Sequence, residues 1–176
     1  MNLPNRLTML RIILVPVFLA VVSLKIPYGD YVAAAVFVLA ASTDGLDGYI
    51  ARKFKLITRL GKLMDPLADK LLVSAALIAL VELHRLPAWV AVVIIGREFA
   101  VTGLRALAAA DGTVIAAGKL GKIKTVTQIV AIVALFIKDL PLWLGQFSIG
   151  LAVFFTIWSG LDYFSHAWPA IKKGGY

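Results

Sequence analysis

The sequence predicts an all-α integral membrane bundle of six transmembrane helices with a short N-terminal interfacial segment, in a single domain over residues 1–176. Three observations predict it. Hydrophobic residues fill 61% of 176 positions and mean hydropathy is +0.90, against roughly 45–50% apolar usage in soluble domains. Apolar stretches recur at close to the ~20 residues that a bilayer-crossing helix needs. Lysine and arginine gather between alternate stretches, as they do in multi-pass chains.

The elements follow in order. Residues 1–11 are polar at intervals and suit a short interfacial helix, with Asn5 placed to cap it. The first span, 7–24, is longer than a signal-peptide core and lacks a small-residue cleavage site, so it reads as retained. Pro27-Tyr28-Gly29 turns the chain into the second span, 31–51. A basic connection with Arg52, Lys53, Lys55, Arg59 and Lys62 leads into the third, 60–83. His84-Arg85-Leu86-Pro87 turns into the fourth, 88–109, and Lys119, Lys122 and Lys124 lead into the fifth, 123–137. Asp139-Leu140-Pro141 turns into the sixth, 142–168, and Lys172 and Lys173 follow it. The opposite face has Lys25, Arg85 and Lys138 alone. This asymmetry puts both termini and the acidic stretch on the cytoplasmic side of a cell (inner) membrane. Trp89, Trp143 and Trp168 suit interfacial positions, and the isolated His84 and His166 are not expected to be ligands.

Composition excludes several classes. Without cysteine there are no disulfides, zinc thiolates or thiol nucleophiles. The net charge of +8 lies between apolar segments, which suits an anionic membrane face or phosphorylated substrates and not nucleic acid.

Four carboxylates interrupt this pattern where they are expensive. Asp44 and Asp47 lie near the cytoplasmic end of the second span at i, i+3, and Asp65 and Asp69 near the start of the third at i, i+4. Each pair shares a helical face, and an antiparallel turn brings both pairs to similar depth. Four converged carboxylates repel unless cations intervene. An all-oxygen set with no histidine or cysteine nearby selects hard ions, Mg²⁺ or Mn²⁺, and two ions suit four acids that also meet a phosphate. Salt bridges to Arg52, Lys53 and Lys70 are the bland alternative, weakened by the tendency of intramembrane acids to be functional. Gly45, Gly48 and Ala51 keep the acidic helix slim for a neighbouring helix or a ligand. Pro66 either starts the third helix or kinks it.

The run Asp44-x-x-Asp47-Gly48-x-x-Ala51-Arg52, then eight residues to Gly61, three to Asp65 and three to Asp69, resembles the full signature of the CDP-alcohol phosphotransferase family. The resemblance implies transfer of a substituted phosphate from a CDP-linked donor to an alcohol, with release of CMP. By position it implies that Asp44, Asp47, Asp65 and Asp69 hold two divalent cations and that Asp69 is also the base on the incoming hydroxyl. Gly48 and Ala51 would leave room for cytidine, and Arg52 would face the donor diphosphate. Asn5, Thr8 and Arg11 in the opening NLPNRLTMLR resemble the family's start and would border the nucleotide pocket. The likeness also suggests a homodimer.

Cytoplasmic placement in a membrane suits CDP-diacylglycerol as donor. Residues 96–125, with the Arg-Glu pair, Thr-Gly-Leu-Arg and Gly-Lys-x-Lys-Thr, resemble bacterial family members that use sn-glycerol 3-phosphate. Arg97, Arg105, Lys119, Lys122 and Lys124 would then receive the acceptor phosphate; positive-inside topology alone is the competing account. Two other functions stay open: the same chemistry on inositol phosphate, serine or phosphatidylglycerol, and a divalent-cation transporter. The transporter lacks an inverted repeat and leaves the spaced Gly, Ala and Arg unexplained.

Overall fold

The computed structural model describes residues 3–24, 26–53, 59–110 and 118–173; of some of these, including 44–53, only the backbone is described. Six helices and no strand occur among the described residues: α1 Leu3–Ser23, α2 Gly29–Lys53, α3 Arg59–Glu82, α4 Ala88–Ala110, α5 Lys119–Phe136 and α6 Leu142–Lys173. Every expected apolar stretch lies on a helix of its own. The interfacial segment is not separate, because residues 3–11 continue without a break into α1. Asn5 therefore sits within the helix and does not cap it. Pro66 likewise lies inside α3 and does not start it.

Among the described residues, Asn5–Ser23 and Trp143–Ser165 meet a strict length-and-hydropathy criterion for crossing a membrane, and Gly29–Thr43 forms a shorter apolar run. Three of the other helices carry charge toward one end: α2 ends in Asp44, Asp47, Arg52 and Lys53, α3 begins with Arg59, Lys62, Asp65 and Asp69, and α5 begins with Lys119, Lys122 and Lys124, while α4 carries Arg97 and Glu98 at its middle. The residues that shorten these apolar runs are the ones the sequence singles out for chemistry.

α1 packs on α2 and α3, α2 on α3 and α5, α3 on α4 and α5, and α6 on α4 and α5. The interior is built from Phe18, Phe37, Leu72, Leu77, Leu80, Ile94, Ile132 and Phe136, all fully buried. Phe18 meets Phe136 edge-on at 5.6 Å and Phe37 at 6.2 Å, joining α1, α2 and α5 through aromatic contact. The outward surface is also apolar, with Ile13, Leu39, Ile78, Val92, Phe99, Val126, Phe147 and Trp158 exposed. Such a surface suits hydrocarbon surroundings better than water.

The short turns gather at the end away from the acids. His84, at φ 57°, supplies the left-handed residue that ends α3. His84 N–H bonds Val81 O at 3.0 Å and Arg85 N–H bonds Leu80 O at 2.9 Å, closing the helix in a Schellman motif. That places Arg85 to donate from Nη1 to the terminal carbonyls Leu135 O and Phe136 O of α5, at 3.3 and 3.1 Å. Its Nη2 meets Asp30 Oδ2 at 2.8 Å, and Lys138 Nζ reaches the same oxygen at 2.7 Å. Tyr31 Oη donates to Asp139. One arginine thus ties three turns together and satisfies carbonyls that a helix end leaves without partners. Holding that end fixes how the six helices are set relative to one another at the other.

Candidate active site

At the polar end, α1 enters with a row of polar side chains one turn apart. Asn5, Thr8 and Arg11 are all buried, Arg11 completely. Thr8 Oγ1 donates to Asp65 Oδ1, tying α1 to the acidic turn of α3. Arg11 Nε lies 3.3 Å from Ala40 O and 3.2 Å from Thr43 Oγ1, so its charge sits beside the last turn before Asp44. A narrow crevice lined by Asn5, Thr8, Met9, Gly61 and Met64 runs between α1 and α3. The N-terminal residues matched to the nucleotide pocket and Gly61 of the acidic signature therefore come together in space.

Asp69, one turn beyond Asp65, faces a different set of neighbours. It lines a small cavity with Lys70 and Val73 of α3, Ala41 of α2, Glu98 of α4, and Lys124, Thr125, Gln128 and Ile129 of α5. Four helices contribute, which is why the cavity is enclosed in a thin bundle. Lys124 is 5% exposed and its Nζ pairs with Glu98 Oε1. A lysine this deep needs a carboxylate partner, because burying an unpaired ammonium is costly. Glu98 also accepts from Arg97 Nη1 at 3.3 Å, so one acid serves two cations.

Arg97 and Arg105 both extend to α6. Arg97 Nη2 donates to Ser159 Oγ at 2.9 Å. Gly160 permits this approach, since a Cβ there would stand 3.2 Å from Arg97 Cγ. Arg105 Nε lies 3.3 Å from Tyr163 Oη, with its guanidinium 5.1 Å from that ring's centre. Lys122 is exposed and does not line the cavity that holds Lys124. The expected basic group is thus divided: Lys124 lies with Asp69, Arg97 and Arg105 bridge α4 to α6, and Lys122 faces outward. The side chain of Lys119 lies outside the described residues, as do those of Asp44, Asp47, Ala51 and Arg52.

For these last residues the backbone alone is informative. Asp44, Asp47, Gly48, Ala51 and Arg52 are all on α2, which packs against α3 and α5. Ala41 lines the Asp69 cavity, and Asp44 follows it by three residues, one helical turn nearer the polar end. Among the described residues no three acids or histidines stand close enough to hold a metal. The donor chemistry nevertheless fits a hard divalent cation: Asp65 and Asp69 present carboxylate oxygen, and among the described residues no histidine or cysteine lines either the crevice or the cavity.

Glu98, noted in the sequence only as part of the Arg-Glu pair, and Gln128 are the residues to which sequence reasoning gave no site role. Glu98 was legible as the one acid in α4. Gln128 carried no such signal, because a glutamine in a helix is unremarked until its burial is known; it is 2% exposed.

The family model described as CDP-alcohol phosphatidyltransferase matches residues 1–158. The chain is 48% identical to the CDP-diacylglycerol–glycerol-3-phosphate 3-phosphatidyltransferase of Bacillus subtilis (strain 168), over 97% of each chain. It is 39% identical to the protein of that name from Pseudomonas fluorescens, over 99% of this chain and 94% of the relative. With the Rickettsia bellii protein of that name it shares 38%, over 93% of each.

Proposed function

The chain belongs to the CDP-alcohol phosphatidyltransferase family, and from that premise we propose how its polar end works. The enzyme transfers the phosphatidyl group of CDP-diacylglycerol to sn-glycerol 3-phosphate, forming phosphatidylglycerol phosphate and CMP. The observation that carries the mechanism is the enclosure of Asp69 with Lys124 and Glu98 by four helices, directly below the acidic turn of α2.

Asp44, Asp47, Asp65 and Asp69 hold two divalent cations, Mg²⁺ or Mn²⁺. When bound, these supply charge neutralisation of the donor diphosphate and of the departing CMP. Thr8, by donating to Asp65, fixes one carboxylate oxygen and so orients the other. Asp69 accepts the proton of the acceptor hydroxyl as that oxygen bonds to the phosphorus bearing diacylglycerol and the bond to CMP breaks. Gly48, Ala51, Arg52, Asn5 and Thr8 form the donor side, with the crevice between α1 and α3 as its inner edge. Lys124 leads the acceptor side. Arg97 lies next to it through the shared Glu98, while Arg105, Lys119 and Lys122 add positive potential at the same end.

The test is CMP release from CDP-diacylglycerol with a panel of acceptors: glycerol 3-phosphate, inositol phosphate, serine and phosphatidylglycerol. Turnover should require glycerol 3-phosphate and yield phosphatidylglycerol phosphate. A chelator should abolish it and Mg²⁺ or Mn²⁺ restore it. Full activity in metal-free protein would remove the cations from the mechanism, and preference for another acceptor would reassign the substrate.

All six helices span the membrane, with both termini and the polar end on the cytoplasmic side, and the enzyme works as a homodimer. The lysine and arginine asymmetry supports this orientation. So do Trp89 and Trp143, exposed near the clamped end where an aromatic belt would lie. A cysteine at Lys119 should react with an impermeant thiol reagent only from the cytoplasm, and one at Tyr28 only from outside. The opposite pattern would overturn the orientation.

A further inference from the structure

We propose that Gln128 is the residue that reads the secondary hydroxyl of the acceptor. This rests on glycerol 3-phosphate being the acceptor, as argued above. Gln128 lies in the wall of the Asp69 cavity and is 2% exposed, and its amide nitrogen has no hydrogen-bond partner among the described residues. A buried N–H donor left without a partner is destabilising, and native interiors contain few of them. Gln128 lines the cavity that also holds Asp69, so a ligand oxygen bound there is the partner we assign to its amide.

The geometry indicates which oxygen. Lys124 and Gln128 are four residues apart on α5, so they face the cavity one turn apart, with Lys124 nearer the polar end. Asp69 faces them from α3. The cavity beside the amide holds about 20 Å³, enough for one water-sized group and too little for a phosphate. An acceptor with its phosphate toward the polar side of Lys124 and its reacting hydroxyl at the mouth of the cavity beside Asp69 has one group left to enter it, the hydroxyl on its central carbon. The amide of Gln128 donates to that oxygen. Of the other polar groups in the wall, Glu98 is engaged by Lys124 and Arg97, Lys70 Nζ donates to Pro66 O and Thr125 Oγ1 to Gly121 O.

A site built to bond a hydroxyl discriminates strongly against a substrate that lacks it. The probe is 3-hydroxypropyl phosphate, which keeps the reacting hydroxyl and the phosphate but has no central hydroxyl. The wild-type enzyme should prefer glycerol 3-phosphate over it in kcat/KM by about tenfold or more. Gln128→Met, of similar length but without the amide, should lower kcat/KM for glycerol 3-phosphate by about tenfold and leave the deoxy analogue and the KM for CDP-diacylglycerol nearly unchanged. The preference would then collapse toward unity. If wild type shows no preference, the proposal fails whether or not the variant folds. It fails equally if Gln128→Met keeps the preference, or if both acceptors lose activity together, which would give the residue a purely structural role. Wild-type enzyme that does not use glycerol 3-phosphate at all would instead overturn the acceptor assignment, and this inference with it.

Discussion

Asp69→Asn should leave the protein folded and able to bind CDP-diacylglycerol while lowering turnover by a factor on the order of 10² or more, the usual effect of losing a general base. Asparagine keeps the size of aspartate and one carbonyl oxygen but cannot accept the hydroxyl proton. The cavity around Asp69 draws on α2, α3, α4 and α5, so the exchange of one oxygen for an amide leaves the packing of all four helices intact. Single-turnover CMP release, with donor binding measured in parallel, separates the base from a role in holding cations. A base variant loses the chemical step with binding retained. Asp65→Asn should weaken cation binding together with activity, because Asp65, held at one oxygen by Thr8, is proposed as a cation ligand and not as the base. Near-normal turnover in Asp69→Asn would exclude it as the base.

The second large effect is expected at Lys124. Replacing it by methionine removes the charge-assisted contact proposed to the acceptor phosphate, worth roughly 1.5–3 kcal/mol. At 1.4 kcal/mol per decade, kcat/KM for glycerol 3-phosphate should fall between about tenfold and a hundredfold. The KM for CDP-diacylglycerol should change much less. The single variant also takes one of two cations from Glu98, which keeps its pair with Arg97, so some loss of stability is expected beside the loss of the acceptor contact. Thermal stability measured beside the kinetics separates the two effects: Lys124→Met that stays folded should still show the raised acceptor KM. A folded Lys124→Met with a normal acceptor KM would show that Lys124 acts only through packing. Lys122→Met is the control: its exposed side chain stands outside the cavity, and its effect should be at most a few-fold.

Much of this molecule was legible without coordinates. Apolar runs bounded by Pro, Gly and charge located six helices, because helix length and termination are local properties of the chain. The i, i+3 and i, i+4 spacings of the aspartates put each pair on one face, since the helical repeat alone decides that. The family signature, Asp44 to Asp69, could be read directly for the same reason: it is contiguous and each position is identifiable by residue type. Even the start of α1 was nearly right. What failed there was the break between an interfacial segment and a span, because nothing in residues 3–11 interrupts backbone hydrogen bonding when Arg11 finds Ala40 O and Thr43 across the bundle.

The basic residues of the second half were a different matter. Lys122 and Lys124 are two positions apart and chemically identical, so their types say nothing about which one faces inward. Two residues turn a helix by about 200°, and the rotational setting of α5 against α2, α3 and α6 sends Lys124 to Glu98, 26 residues away in sequence, and Lys122 outward. The same setting buries Gln128 one turn below. Arg97 and Arg105 find Ser159 and Tyr163 about sixty residues later, and Arg85 closes the far end on Asp30 and the last carbonyls of α5. The sequence alone determined the helices, the acidic signature and the reaction. Tertiary packing decided which cation, which acid and which amide share the cavity with Asp69, because pairing between distant helices depends on their rotation and spacing, which no local pattern encodes.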